Sequence, residues 1–171
     1  MTTHAVGDAV VLLTDADMAW IGIDTASIGL ERQYRGITNG AAIDTDASLN
    51  FTYSGVNLEC LSPVYLNGSR HPATNDWTLT WIRRSRIDGG LRNYVDVSLG
   101  ETTESYEIDI YADGTYATVK RTLTASTATV AYTSADQTTD FGGNQTTLYV
   151  KVYQLSATVG RGYPLTATIT R

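Results

Sequence analysis

Cysteine occurs once in the 171 residues, at Cys60, histidine twice and proline three times. One cysteine excludes an internal disulfide and any cysteine-based zinc cage. Two histidines, His4 and His71, leave little material for a Ser–His–Asp or Cys–His arrangement. His4 sits in the first few residues and His71 in a Ser-Arg-His-Pro turn, so both read as exposed polar residues. Cys60 reads as a small buried hydrophobe rather than a nucleophile. Charged residues make up 18%, below the usual level of about 25%. No apolar run approaches the roughly 18 residues that a membrane-crossing helix needs. Met1-Thr2-Thr3-His4 lacks the basic head and apolar run of a signal peptide. A net charge of -6 with no basic arm argues against a nucleic-acid partner.

Threonine and tyrosine are abundant, with 27 and 11 copies, and 42% of residues are hydrophobic. That composition predicts an ordered, all-β chain. The negative charge is concentrated. Residues 1–61 hold Asp8, Asp15, Asp17, Asp24, Glu31, Asp44, Asp46 and Glu59 against only Arg32 and Arg35, whereas acids and bases balance in 62–171. The split predicts two units, with a border near Leu61-Ser62-Pro63, where proline suits the first residue of an edge strand.

Residues 62–171 predict seven strands. Asp76-Trp77-Thr78-Leu79-Thr80-Trp81 alternates, with Trp77, Leu79 and Trp81 on one face, the period of a half-buried strand. Tyr106 to Tyr111 alternates too, with Tyr106, Ile108 and Ile110 facing inward, and Asp113-Gly114 marks a turn. Ala117–Leu123 and Ala128–Ser134 follow. Leu148 to Tyr153 has Leu148, Val150 and Val152 on its inner face. Val64–Leu66 and Leu165–Thr170 complete the set, and no segment keeps helical period over three turns. Seven short alternating strands in about 100 residues predict an immunoglobulin-like sandwich. Residues 1–61 are strand-like as well, at 9–13, 18–23, 33–38 and 49–53. Sixty residues is marginal for an independent core, so this segment is expected to complete its burial against something else.

Candidate chemistry is sparse. Asp15/Asp17 and Asp44/Asp46 could ligate a hard cation, but two acids in a turn are usually a solvated turn. No metal or other cofactor is expected. Asp140-Phe141-Gly142 spells the kinase metal-binding tripeptide without the glycine-rich loop, strand lysine or catalytic loop, and reads as a loop. Gly160-Arg161-Gly162 lacks the third glycine of a phosphate-binding pattern. Arg83-Arg84-Ser85-Arg86 is the one dense basic cluster. It could grip a phosphate or an acidic glycan, or pair with Asp88, Asp96, Glu101 and Glu104. The neutrality of residues 62–171 favours pairing. Arginine outnumbers lysine ten to two, a bias that protein interfaces share. The candidate interface or surface-binding residues are therefore Arg83, Arg84, Arg86, Asp96, Glu101, Glu104, Asp140 and Arg161. Loops 86–94, 138–145 and 158–163 are candidates for glycan or receptor contact.

Six segments in order carry a resemblance. They are Trp81-Ile82-Arg83-Arg84-Ser85-Arg86, Asp96-Val97-Ser98-Leu99-Gly100-Glu101, Glu104-Ser105-Tyr106-Glu107, Arg121-Thr122-Leu123, Ala135 to Gly142, and Val152 to Ser156 with Gly160-Arg161-Gly162. Together they resemble the C-terminal region of the large tail-tip, or host-specificity, proteins of long-tailed phages and gene transfer agents. Similarity covers residues 9–171 and is densest over 76–164. Ser98 stands where that family usually has proline. The family's upstream TIM-barrel-like region has no counterpart in these 171 residues, so no hydrolase activity carries over and no enzyme is expected.

The resemblance implies a fibronectin type III-like sandwich over 62–171, with Trp81 as the core tryptophan of its second strand. It places Leu148 where many such domains have the corner tyrosine, so packing must fix that corner. It also implies a structural role at the distal end of a virion tail. Residues 1–61 would dock on other tail-tip or hub subunits, three copies would meet around the axis, and a host-surface glycan or protein receptor would be a further partner.

Overall fold

The computed structural model describes residues 22–37, 40–42, 47–87, 89–90 and 95–171. The predicted strand at 9–13, residues 18–21 of the one predicted at 18–23, the acid pairs Asp15/Asp17 and Asp44/Asp46, and His4 lie outside the described residues, and Gly22 and Ile23 are not in a strand. The chain divides into two compact units between Tyr53 and Ser54. This is earlier than the expected border at Leu61–Pro63. The reason is local: Cys60 accepts the Tyr163 N–H at 3.0 Å through its carbonyl, which ties the segment before Pro63 to the second unit.

In the first unit, β1 (Glu31–Tyr34) pairs antiparallel with β2 (Leu49–Thr52). A 3-10 turn at Thr25–Ser27 precedes them, capped by the Asp24 carboxylate. Tyr34 meets Phe51 edge to face at 6.4 Å. Two short strands are marginal in water by themselves. All four β2 residues are exposed. Leu49 is 71% exposed, Leu30 53% and Phe51 48%.

Among its described residues the second unit is all-β apart from one short α-helix and a 3-10 turn at Val56–Leu58. Its strands are β3 (Val64–Arg70), β4 (Trp77–Ile82), β5 (Tyr106–Tyr111), β6 (Val119–Ala125) and β7 (Thr129–Tyr132). Helix α1 (Ser134–Phe141) follows, then β8 (Thr147–Ser156), the two-residue β9 (Gly160–Arg161) and β10 (Leu165–Thr170). One antiparallel sheet has the order β3-β4-β7 and the other β10-β8-β5-β6, with β9 beside the end of β8. Seven main strands in this order place the fourth, β6, beside the third rather than beside β7. That is the fibronectin type III-like form of the immunoglobulin-type sandwich.

Alternation sets which residues are buried. Along β8 every second side chain, from Leu148 to Ser156, is buried. The core joins Trp77, Leu79 and Trp81 of β4, Tyr106, Ile108 and Ile110 of β5, Tyr132 of β7, and Leu148, Val150 and Val152 of β8. The eight positions taken from sequence as core are thus all buried. Trp81 packs edge to face on Tyr106 with ring centroids 5.0 Å apart, a geometry worth about 1 kcal/mol beyond burial. Leu148 sits in this core opposite Ile169 of β10.

Helix α1 corrects two expectations. The strand expected over Ala128–Ser134 stops at Tyr132, and Asp140-Phe141 is the last turn of a helix rather than a loop. Thr133 caps the helix by accepting from the Asp136 N–H, and Gly142 closes it at φ 77°, a left-handed conformation that glycine adopts without penalty. Two turns are too short to impose a helical period on the sequence, and the caps fix its limits instead.

Candidate functional site: arginine–carboxylate clamps

Each clamp begins with an arginine, on a strand or in the connection that follows β4. Arg83, just past β4, donates to Asp96 Oδ2 at 2.6 Å, the Val97 carbonyl at 2.7 Å and the Ser98 carbonyl at 3.3 Å. One planar guanidinium therefore holds three consecutive residues of the long β4–β5 connection. Arg86 pairs with Glu101 and donates to the Gly100 carbonyl at 3.2 Å. The Glu101 side chain is nearly buried and also accepts from Cys60 Sγ at 3.4 Å. Burial, followed by the hydrogen bond to Glu101, pushes the Cys60 thiol up to about 11. It stays protonated at neutral pH and is a poor nucleophile. Glu104 accepts the Tyr106 hydroxyl at 2.7 Å rather than meeting an arginine. Arg84 is exposed and pairs with no described residue. Asp88 and residues 91–94 lie outside the described residues.

On β6, Arg121 grips Asp140 of α1 bidentately, at 2.7 and 3.0 Å, and meets Asp136 at 3.1 Å. Tyr132 donates its hydroxyl to the same Asp140 carboxylate at 2.8 Å. Burial opposes ionisation of Asp140. The hydrogen bonds from Arg121 and Tyr132 outweigh it and hold the carboxyl below its ordinary range. On β9, Arg161 donates to Glu107 at 2.6 Å and to both oxygens of the buried Asp109 at 2.7 and 3.0 Å. Thr122 donates to Asp109 at 2.6 Å. The guanidinium also lies over the Tyr153 ring, 4.4 Å from its centroid. These carboxylates hold the Arg161 pKa above its ordinary value, the Asp109 hydrogen bond foremost.

The segments singled out in sequence thus meet in pairs. The first joins the second through Arg83–Asp96 and Arg86–Glu101, the third joins the sixth through Glu107–Arg161, and the fourth joins the fifth through Arg121–Asp140. Six of the eight candidate residues are members of these ion pairs. The exceptions are Arg84 and Glu104.

Sequence reasoning missed Asp109, Tyr132 and Gln137. Gln137 is fully buried on α1. It donates to the Asn75 and Tyr132 carbonyls at 2.9 and 3.3 Å and accepts the Gln145 N–H at 3.0 Å. The Thr133-Ser134-Ala135-Asp136 spacing, a capping-box pattern, was the available signal for this helix.

The candidate loops are largely occupied with the fold itself. Residues 138–141 are helical, and Gly160-Arg161 is strand. Three tyrosines of the larger sheet and its β5–β6 turn carry cations over their rings. The Lys151 ammonium sits 5.1 Å from the Tyr111 ring and 5.5 Å from Tyr116, as Arg161 does over Tyr153. His71 is a turn residue whose Nδ1 accepts from the Thr74 N–H at 3.1 Å. Among the described residues no group of three or more histidine, cysteine, aspartate or glutamate side chains is placed to hold a metal ion. No described helix is long and apolar enough to cross a membrane. In the first unit, a cleft of about 410 Å³ is lined by Gly22, Ile23, Asp24, Ser27, Arg32, Gln33 and Tyr34.

No family model and no curated protein matches the chain. Among solved structures, the FN5 domain of Drosophila Lar is similar with a TM-score of 0.38 and 11% identity, covering 65% of this chain and 95% of that one.

Proposed function

We propose that the chain is a structural component of a long-tailed phage or gene-transfer-agent tail tip, with its first unit docking on hub subunits and its sandwich projecting outward. The observation that carries the docking is the β1–β2 hairpin. Leu49 and Phe51 of β2, with Leu30 just before β1, are exposed in the acidic part of the chain. Such side chains on so small a unit mark an interaction surface. The acidic charge suits a basic surface on the partner. The place in the tail comes from the sequence resemblance, as do the virion location and the three copies around the axis. The clamps support a scaffold role, because they spend the charged candidates on holding connections in place.

A contribution to host attachment, through a surface glycan or protein receptor, belongs to the same proposal. The sandwich loops would carry it, with Arg84 as the exposed cation nearest to hand. No catalytic role is proposed: Asp140 and Asp109 are held by arginines, and the Cys60 thiol is held protonated.

Co-expression of the chain with the candidate hub subunits tests the docking. The wild type is expected to co-purify, and Leu49→Asp with Phe51→Asp is expected to abolish co-purification while the sandwich stays folded. Unchanged co-purification of the double variant contradicts docking through this hairpin.

A further inference from the structure

Strand edges are where a sandwich exposes unpaired backbone, and natural sheets normally protect them. Three of the four outer strands of the two sheets are protected. β6 carries Lys120 and Arg121. β7 has only four residues. β3 has a bulge between Val64 and Asn67, with Tyr65 at φ 54°. The fourth edge, β10, reads Leu165-Thr166-Ala167-Thr168-Ile169-Thr170 with no charge, proline, glycine or bulge.

The hydrogen-bond phase of β10 follows from one bond. The Arg171 N–H donates to the Thr146 carbonyl at 3.0 Å, one step beyond the Thr170–Thr147 pair. Hydrogen-bonded and non-hydrogen-bonded pairs alternate in an antiparallel ladder. Ile169, Ala167 and Leu165 therefore turn their backbone groups toward β8. Thr166, Thr168 and Thr170 turn theirs away, and these groups have no partner among the described residues. Pro164 has the same phase, and its carbonyl accepts the Ser62 hydroxyl at 3.0 Å.

We propose that β10 pairs antiparallel with β10 of a second copy of this chain, about a two-fold axis through Thr168. This register is self-complementary. Thr168 faces Thr168, Thr166 faces Thr170, and all three pairs are hydrogen-bonding pairs by the phase just derived. The threonine side chains meet on the outer face, where cross-strand threonine pairs are favourable. Ala167 meets Ile169 on the inner face. No like charges are opposed, since Arg171 falls beside Leu165. The product is one eight-stranded sheet with the order β6-β5-β8-β10-β10-β8-β5-β6, and the interface is isologous. The proposal rests on the sandwich and not on the tail reading, and it concerns the free chain rather than the copy number around a tail axis.

Sedimentation equilibrium of the full chain, with residue-resolved amide hydrogen exchange, tests it. The expected result is a dimer in which the Thr166, Thr168 and Thr170 amides are protected. Thr168→Pro removes an N–H that the chain's own ladder does not use, and Thr168→Lys adds a charge at the axis. Each is expected to halve the sedimenting mass and release the Thr166 and Thr170 amides, with tryptophan fluorescence of the core unchanged. If either variant unfolds, the other decides. A chain that stays monomeric at high micromolar concentration, a trimer, or a dimer whose three threonine amides exchange freely overturns the proposal.

Discussion

Arg161 and Arg84 mark the two extremes of what a surface arginine does in this chain. Arg161 compensates Asp109, a carboxylate with 2% exposure. Arg161→Gln leaves that charge buried and short of partners, which costs several kcal/mol when both groups are fully enclosed. The arginine side chain is 40% exposed, so solvent screening reduces the expected loss to about 2 kcal/mol. Arg84→Ala is expected to change stability by less than about 0.5 kcal/mol. Urea denaturation of the two variants side by side checks the contrast. Gly162 is constrained differently: a Cβ there would lie 2.3 Å from the Cys60 carbonyl oxygen. Gly162→Ala must move backbone, and about 1–3 kcal/mol of destabilisation is expected.

Titration follows from the same residues. Asp140 is held low in the fold, so its contribution is present above the unfolded value of about 3.9 and is lost as pH falls through the lower folded value. Asp76 behaves likewise, through the Thr74 hydroxyl and then the Ser134 N–H. Cys60 has the opposite sign. Its contribution is present below the ordinary thiol value of about 8.5 and is lost as pH rises toward about 11. Urea midpoints are therefore expected to be level from about pH 5 to 8 and to fall on both sides. Cys60→Ala is expected to flatten the first part of the alkaline fall. An alkaline limb that Cys60→Ala leaves unchanged contradicts the assignment of that fall to Cys60.

Among the elements, α1 has the most to lose from small changes. Thr133→Ala removes the cap at its N-terminus and is expected to cost about 1 kcal/mol. Gln137→Ala frees two carbonyls and one N–H in the interior, each costing about 1–3 kcal/mol if left unsatisfied. Thermal unfolding of both variants gives the order, with Gln137→Ala the less stable. Sequence reading missed this helix, as it did the two-residue β9. Strands β4, β5 and β8 were legible because a period of two over six or more residues leaves a clear pattern of large apolar side chains. The helix shows no such stripe, since eight residues of Ser, Ala, Asp, Gln, Thr and Phe bury only Gln137 fully. The clamps were half legible. Arg83 and Arg86 were placed with acids close in sequence. Asp109 was read only as the polar half of an alternating strand, and its partner Arg161 lies 52 residues away. Tyr132 looked like one more strand tyrosine.

At the scale of the whole molecule, the net charge of -6 and the hairpin's exposed apolar side chains fall in the same first third of the chain. Residues 62–171, which hold all the strands of the sandwich, are neutral in sum, clamped and built on one core. That division of labour suits a rigid domain carried by a smaller unit that finishes its burial on a neighbour. Imaging of intact tailed particles, with this chain located by its own density or by a tag, tests the tail-tip proposal most directly. The predicted result is density at the distal end of the tail, with the β1–β2 hairpin buried against neighbouring subunits and the sandwich outside. Absence of the chain from purified particles, or a position on the head, or a hairpin left in solvent, would contradict it.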